Sequence, residues 1–190
     1  MATDSLADRS ASPAEIVRPL VRTRQYREFT DDVPTPDELA AIADAGRWSG
    51  SSQNSQPWRF VVIRDPATLD AIAAAGLPST RGLRGAHAAI AVAMPINESR
   101  QISLAYDEAR ATERMLVAAS MLGLGAGISW LSPDARRVAA ERLGLPEDRQ
   151  IRTIVQVGHP TAAARAPKSE PGTARLPRAK TVYEERWPAS

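Results

Sequence analysis

Cysteine is absent from this chain of 190 residues, which removes disulfide scaffolds, thiolate zinc sites, iron–sulfur clusters and cysteine nucleophiles together. Histidine is nearly absent too: His87 and His159 stand alone, so chemistry built on metal–histidine clusters has little to draw on. There is no strong charge of one sign. The 24 Lys+Arg against 22 Asp+Glu leave a formal charge of +2, and the pI of about 9.4 reflects arginine excess rather than a basic field, so nucleic acid is not an expected partner. The N-terminus MATDSLADRSASPAE carries acidic residues and no apolar signal-peptide core, so residues 1–12 read as a disordered lead-in and cytoplasmic residence is expected. Met115 to Leu131 is a long uncharged run, but it holds Gly123, Gly125 and Gly127 and is flanked by Arg114 and Asp134. It reads as a buried helix entering a buried strand, not as a membrane span. Missing as well are a GxxxxGK[ST] loop, an HExxH pair and a GxSxG elbow, and hydrolase readings lose their usual machinery with them.

What is present has globular proportions, 43% hydrophobic and 24% charged, enough for one domain with one sizeable core. Four helix starts are punctuated by a capping side chain and a proline: Ser12-Pro13, Thr35-Pro36, Asp65-Pro66 and Ser132-Pro133. Glu15 and Glu38 complete capping boxes in the first two. Leu39, Ile42 and Ala43 keep helical spacing up to Trp48, and a longer helix is expected from about Ile102 to Leu122. Strands are expected at Phe60 to Ile63, Ala88 to Met94, Ile128 to Leu131 and Ile151 to Val157. From about residue 161 the composition turns to Ala, Pro, Arg and Lys, predicting an extended arm that ends in the apolar-aromatic TVYEERW on a partner surface. GLGAG at 123–127 superficially resembles a dinucleotide loop, but that fingerprint needs a strand before its glycines and a helix after them. Here the order is reversed, and a glycine ending a helix before a tight turn into a strand fits better. His87 opens a strand and His159 closes one, so structural or exposed roles suit both.

Three segments carry polar groups that the fold alone does not require: RTRQYREF (22–29), SSQNSQPWRF (51–60) and ARLP (174–177). Arg22, Arg24 and Arg27 lie close enough in sequence to converge on a phosphate dianion; a solvated arginine face is the competing reading. Ser51, Ser52, Asn54 and Gln56 stand beside Pro57 and Trp58 at a turn between helix and strand. Amides can satisfy the donor and acceptor edge of a uracil-like ring, hydroxyls can bind polyol oxygens, and Pro or Trp can cover a planar face. The alternative is a plain turn with Trp58 anchored in the core. A phosphate site, a polyol site and an amide-recognised planar ring together describe flavin mononucleotide (FMN) better than a nicotinamide or a sugar.

The combination resembles the FMN-dependent nitroreductase family. RTRQYREFTDDVPTPDELAAIADAGRWSGSSQNSQPWRFVVI is similar to that family's arginine cluster, acidic-proline turn, helix and Ser-Ser-x-Asn-x-Gln-Pro-Trp motif. The likeness continues through DEARATERMLVAASMLGLGAGISWL and through GHP and RLP, over about residues 15–187. It implies an α+β fold, with a mixed, mainly antiparallel sheet flanked by helices in an interlocked homodimer holding two FMN sites at its interface. Residues 13–160 would form the core domain and 161–190 an arm contacting the partner subunit. By this resemblance Arg24, Gln25 and Arg27 match phosphate and pyrimidine-edge positions, and Arg175 matches the C-terminal arginine on the phosphate. Ser51, Ser52 and Asn54 match positions that approach the flavin from the partner chain. The backbone near Ser129 and Trp130 falls where an amide meets flavin N5 and would stabilise the anionic reduced ring. Thr23, Gln25 and Gly50 depart from the family's usual Arg, Ser and Pro, and the short link from Met94 to the long helix lacks a covering insertion, implying an open pocket.

The implied activity is electron transfer from NAD(P)H through FMN to a nitroaromatic, quinone or similar small acceptor by a ping-pong cycle, with no side-chain nucleophile. A non-catalytic flavin-binding or sequestering dimer, a flavin-consuming or dehalogenating member of the same family, and a deazaflavin in place of FMN are the alternatives. Turnover and the bound chromophore discriminate them, because fold alone does not.

Overall fold

The computed structural model describes residues 11–170 and 172–188. All but the end of the expected lead-in therefore lies outside the described residues. Each proline-punctuated start becomes a helix: α1 (Pro13–Ile16), α3 (Pro36–Arg47), α4 (Pro66–Gly76) and α6 (Pro133–Leu143). Ser12 and Thr35 accept the third helical amide while Glu15 and Glu38 reach back to the cap nitrogen, closing both capping boxes. Asp65 and Ser132 cap the other two by accepting from Thr68 and Ala135. A short α2 (Arg18–Arg22) follows α1 across Val17, an element the sequence does not announce. The long helix is α5 (Gln101–Met121).

Strands β1 (Arg59–Ile63), β2 (Ala88–Pro95), β3 (Gly125–Trp130) and β4 (Arg149–Gly158) form one sheet in the order β1-β2-β4-β3. Every pairing among them is antiparallel. The central β2 is buried on both faces, and its alternation sorts the two halves of the core. Ala88, Ile90, Val92 and Met94 pack with Leu39, Ile42, Met115 and Leu116 of α3 and α5. Ala89, Ala91 and Ala93 turn the other way, to Leu69, Ile72, Ala135 and Ala139 of α4 and α6. Small residues on that second face let α4 and α6 approach closely. A side chain such as Ile90 or Met94, with no exposed area, contributes about 1.5–3 kcal/mol by burial.

Two boundaries correct the sequence reading. β3 runs from Gly125 to Trp130 rather than from Ile128 to Leu131, because glycines that weaken a strand signal are required here by close neighbours. The region after 161 also starts with a packed turn of helix, α7 (Ala162–Arg165), whose Ala164 is buried; beyond it the chain is largely exposed. The helix ending before GLGAG behaves as expected. Gly123 adopts φ +76°, and Leu124 N–H donates to Ala119 O, closing the left-handed turn that follows α5.

From α2 the chain runs extended along the outer edge of β3. Gln25 bridges Ala126 in parallel, the mixed element of an otherwise antiparallel sheet, and Phe29 bridges Pro160. Glycines make this approach possible: a Cβ on Gly127 would collide with the Tyr26 carbonyl and stand 2.6 Å from Gln156 Nε2. One on Gly158 would lie 2.8 Å from the Phe29 ring.

Candidate functional site

The extended segment places Arg24 and Gln25 at the mouth of a cavity of about 340 Å³, whose wall is completed by Lys168, Ser169, Ala174 and Arg175. Arg24 is held from three sides. Its Nε donates to Tyr26 Oη at 2.9 Å, Nη2 to Ala164 O at 2.8 Å and Nη1 to Ala166 O at 3.2 Å. The guanidinium also lies 4.9 Å from the Tyr26 ring centre. Two of its five N–H groups remain to meet a ligand, and Lys168 and Arg175 add two more cations. Arg175 Nη1 rests on the Ala174 carbonyl at 2.8 Å.

Gln25 is fixed differently. Its Oε1 accepts from Ile128 N–H of β3 at 3.1 Å and from Arg27 Nη2 at 3.2 Å, which leaves its NH2 group to donate. Behind it, Gln156 of β4 is wholly buried and accepts from Ser129 Oγ at 2.7 Å while donating to Tyr26 O at 3.2 Å. This buried pair of hydrogen bonds ties the arginine-bearing segment to the sheet. Sequence reasoning missed Gln156, whose one signal is an amide inside the apolar run IVQVG; it missed Lys168 as well.

The three arginines do not converge. The chain leaves α2 at Arg22 and continues extended, so they share no helical face. Arg24 lines the cationic cavity, Arg22 lines another with Glu15 and Arg18, and Arg27 is turned to Gln25.

The serine-rich loop is elsewhere. Ser52, Gln53, Arg100 and Tyr106 line a separate opening of about 670 Å³, and neither Arg24 nor Arg175 borders it. Within one chain the structure therefore does not bring Ser51, Ser52 and Asn54 to the arginines. The loop is nonetheless shaped: Gln53, Asn54 and Gln56 have φ of 54°, 53° and 45°, conformations that most side chains avoid. Buried Asp107 of α5 accepts Ser52 N–H at 3.0 and 3.2 Å, and Ser51 Oγ accepts Gln56 N–H at 2.9 Å. Asn54 Oδ1 accepts from Gln56 Nε2 at 3.2 Å. Asp107 was a third omission of the sequence reading. Trp58 is unavailable to cover a planar ring, since it packs in the core against Phe60 at 6.4 Å between ring centres.

At β3 the two backbone candidates separate. Leu131 N–H donates to Arg152 O, and alternate residues of an antiparallel strand face the same neighbour, so Ser129 turns its N–H toward β4. Its hydroxyl is spent on Gln156. Trp130 has the opposite parity, faces the outer edge, and accepts Ser79 Oγ on its carbonyl at 2.8 Å.

Residues 20–94 match the family model described as the nitroreductase family. A protein of Archaeoglobus fulgidus named "Putative NADH dehydrogenase/NAD(P)H nitroreductase" is 30% identical over 150 residues, spanning 77% of this chain and 86% of that relative. A crystal structure under the same name from Bacteroides thetaiotaomicron superposes with a TM-score of 0.76 at 25% identity, over 90% of this chain and 97% of that one. A Desulfovibrio desulfuricans structure, described as a "putative nitroreductase in complex with FMN", has a TM-score of 0.73 at 26% identity, over 94% and 100%.

Proposed function

The chain belongs to the nitroreductase family, and from that premise we propose that it is an FMN-dependent oxidoreductase, carrying electrons from NAD(P)H to a small acceptor such as a nitroaromatic or a quinone. The observation that carries the reading is the cavity where Arg24, Lys168 and Arg175 meet beside Gln25. This donor set fits a phosphate monoester: three cations, a serine hydroxyl and, among the described residues, no carboxylate in the wall. The free NH2 of Gln25 at the sheet edge fits the carbonyl-bearing rim of a planar ring.

When bound, FMN would supply the hydride and electron chemistry that the side chains lack. The chain's own groups then position and select. Arg24, Lys168 and Arg175 hold the phosphate, and Arg24 does so from a frame set by Ala164, Ala166 and Tyr26. Gln25 orients the ring edge because Ile128 and Arg27 fix its oxygen. Trp130 can offer its backbone N–H from the open edge of β3, where a fixed amide would stabilise charge developing on a reduced ring. Ser51, Ser52 and Asn54 contribute from a second copy of the chain, since in their own chain Ser52 borders a different opening and Ser51 and Asn54 shape the loop beside it. Exposed Val182 and Trp187 on the C-terminal arm support such an assembly, as an apolar surface to be covered.

The test is the visible spectrum of the purified protein reconstituted with FMN, followed by NADH or NADPH without oxygen. Binding and then bleaching of the flavin absorbance is the expected result. Binding without bleaching would favour a sequestering protein, and no binding would sink the assignment.

A further inference from the structure

A polar ladder joins α5 to the serine-rich loop. From the C-terminal half of the helix toward its start, Arg114 donates to Trp48 O, Arg110 lies against Gly50, and Asp107 accepts from Ser52 N–H. Arg100, the residue that precedes the helix, donates from Nη2 to Ser55 Oγ at 3.1 Å. The glycine leaves the space that Arg110 fills: a Cβ on Gly50 would collide with Arg110 Nη2 and stand 3.3 Å from its Cζ. These helix positions recur on one face of α5, and the loop positions they meet rise as their own numbers fall. The loop therefore runs antiparallel along the helix and is held to it at each rung.

Asp107 is the buried rung. It is 2% exposed, its two oxygens share the one Ser52 N–H, and among the described residues it takes part in no ion pair. A carboxylate without a cation is costly in such a place, and an apolar residue would pack there without that cost. What the carboxylate supplies is a charge-assisted hydrogen bond to the first residue of the 3-10 turn Ser52–Asn54, the bond a capping side chain would make. Ser51 occupies the capping position but makes no such bond, its hydroxyl being committed to Gln56 N–H. Beyond this anchor the backbone takes left-handed values at Gln53, Asn54 and Gln56, which persist only where neighbours over-determine them. The conformation of the loop is thus imposed from α5. Resting on the proposed function only for the identity of the ligand, we propose that Asp107 is a positioning residue. It fixes the turn that carries Ser52 and Asn54, and through them it acts on the flavin held by a second copy of the chain.

The test compares Asp107→Ala, which removes the acceptor, with Asp107→Asn, which keeps an oxygen for Ser52 N–H and loses the charge. Ile42→Val, a small truncation in the core beneath α5, controls for lost stability alone. FMN affinity is measured by equilibrium dialysis at a temperature where every variant is folded, and the visible circular dichroism of the bound flavin reports its surroundings. Asp107→Ala is expected to weaken FMN about tenfold or more and to alter the flavin dichroism. Asp107→Asn should stay within about threefold of the wild-type affinity and keep the wild-type dichroism, while Ile42→Val lowers the thermal midpoint and moves neither readout. Wild-type affinity and dichroism in Asp107→Ala, a loss in Asp107→Asn as large as in Asp107→Ala, or an equal loss in Ile42→Val would overturn the proposal. Should Asp107→Ala fail to fold, Arg100→Ala carries the test: freeing Ser55 from the ladder is expected to weaken FMN about threefold, and unchanged binding there overturns the proposal. Failure of the wild-type chain to take up FMN sinks the proposed function and this inference with it; uptake indifferent to Asp107 sinks this inference alone.

Discussion

Arg24 and Gln156 do different work at the same place, and substitution separates them. Arg24 donates to two carbonyls of the α7 region and to Tyr26, so it shapes the cationic cavity as well as charging it. Arg24→Ala should therefore release FMN more readily than Arg27→Ala, whose guanidinium reaches Gln25 and does not border the cavity. Equilibrium dialysis of FMN against the two variants checks the order, and equal losses would contradict it. Gln156→Leu leaves the Ser129 hydroxyl and the Tyr26 carbonyl without their partner in a buried setting, a cost of about 1–3 kcal/mol that urea unfolding would read. The two residues also differ in how visible they are in the sequence. Arg24, Gln25 and Arg175 stand in segments whose charge has no local use, so the chain itself points to them. Gln156 and Asp107 sit inside element-forming runs, and their partners lie 130 and 55 positions away, which only the folded chain brings near.

At the scale of the element, the helix starts rest on carboxylates whose protonation couples to stability. The Glu38 carboxyl is held below its ordinary value by the Thr35 backbone N–H and then by the Thr35 hydroxyl. Glu15 is lowered in the same way by Ser12, and Asp65 by the side chain and then the backbone of Thr68. The unfolded chain binds these protons more readily than the folded one. Each contribution is therefore complete above the unfolded value, about 4, and is lost as pH falls through the lower folded value. Glu38→Gln should lower the thermal midpoint at neutral pH, and the difference from wild type should shrink as pH falls below the unfolded value and the wild-type carboxyl is itself protonated. Thr35→Ala should cost about 1 kcal/mol by removing the cap of α3. Caps and prolines are local signals, which is why α1, α3, α4 and α6 can be read from sequence. The start of β3 cannot, because Gly125 and Gly127 are there for the sake of Tyr26 and Pro160, neighbours that no local pattern reveals.

The whole molecule poses the remaining problem, since the residues proposed to recognise the flavin fall into two groups with different surroundings. Arg24, Gln25 and Arg175 border one cavity, while Ser52 borders another and Ser51 and Asn54 shape the loop beside it. If two copies of the chain complete each site, damage to the two groups must complement. A variant carrying Arg24→Ala and Arg175→Ala lacks the cationic half, and one carrying Ser52→Ala and Asn54→Ala lacks the loop half; each homodimer alone should bind FMN poorly. Unfolded together and refolded, half the dimers are mixed, and each mixed dimer has one site built from both intact halves. Flavin binding should then recover to about a quarter of the wild-type level, the statistical expectation for random pairing. If each site is built within one chain, mixing restores nothing, because every cavity keeps its own damaged half.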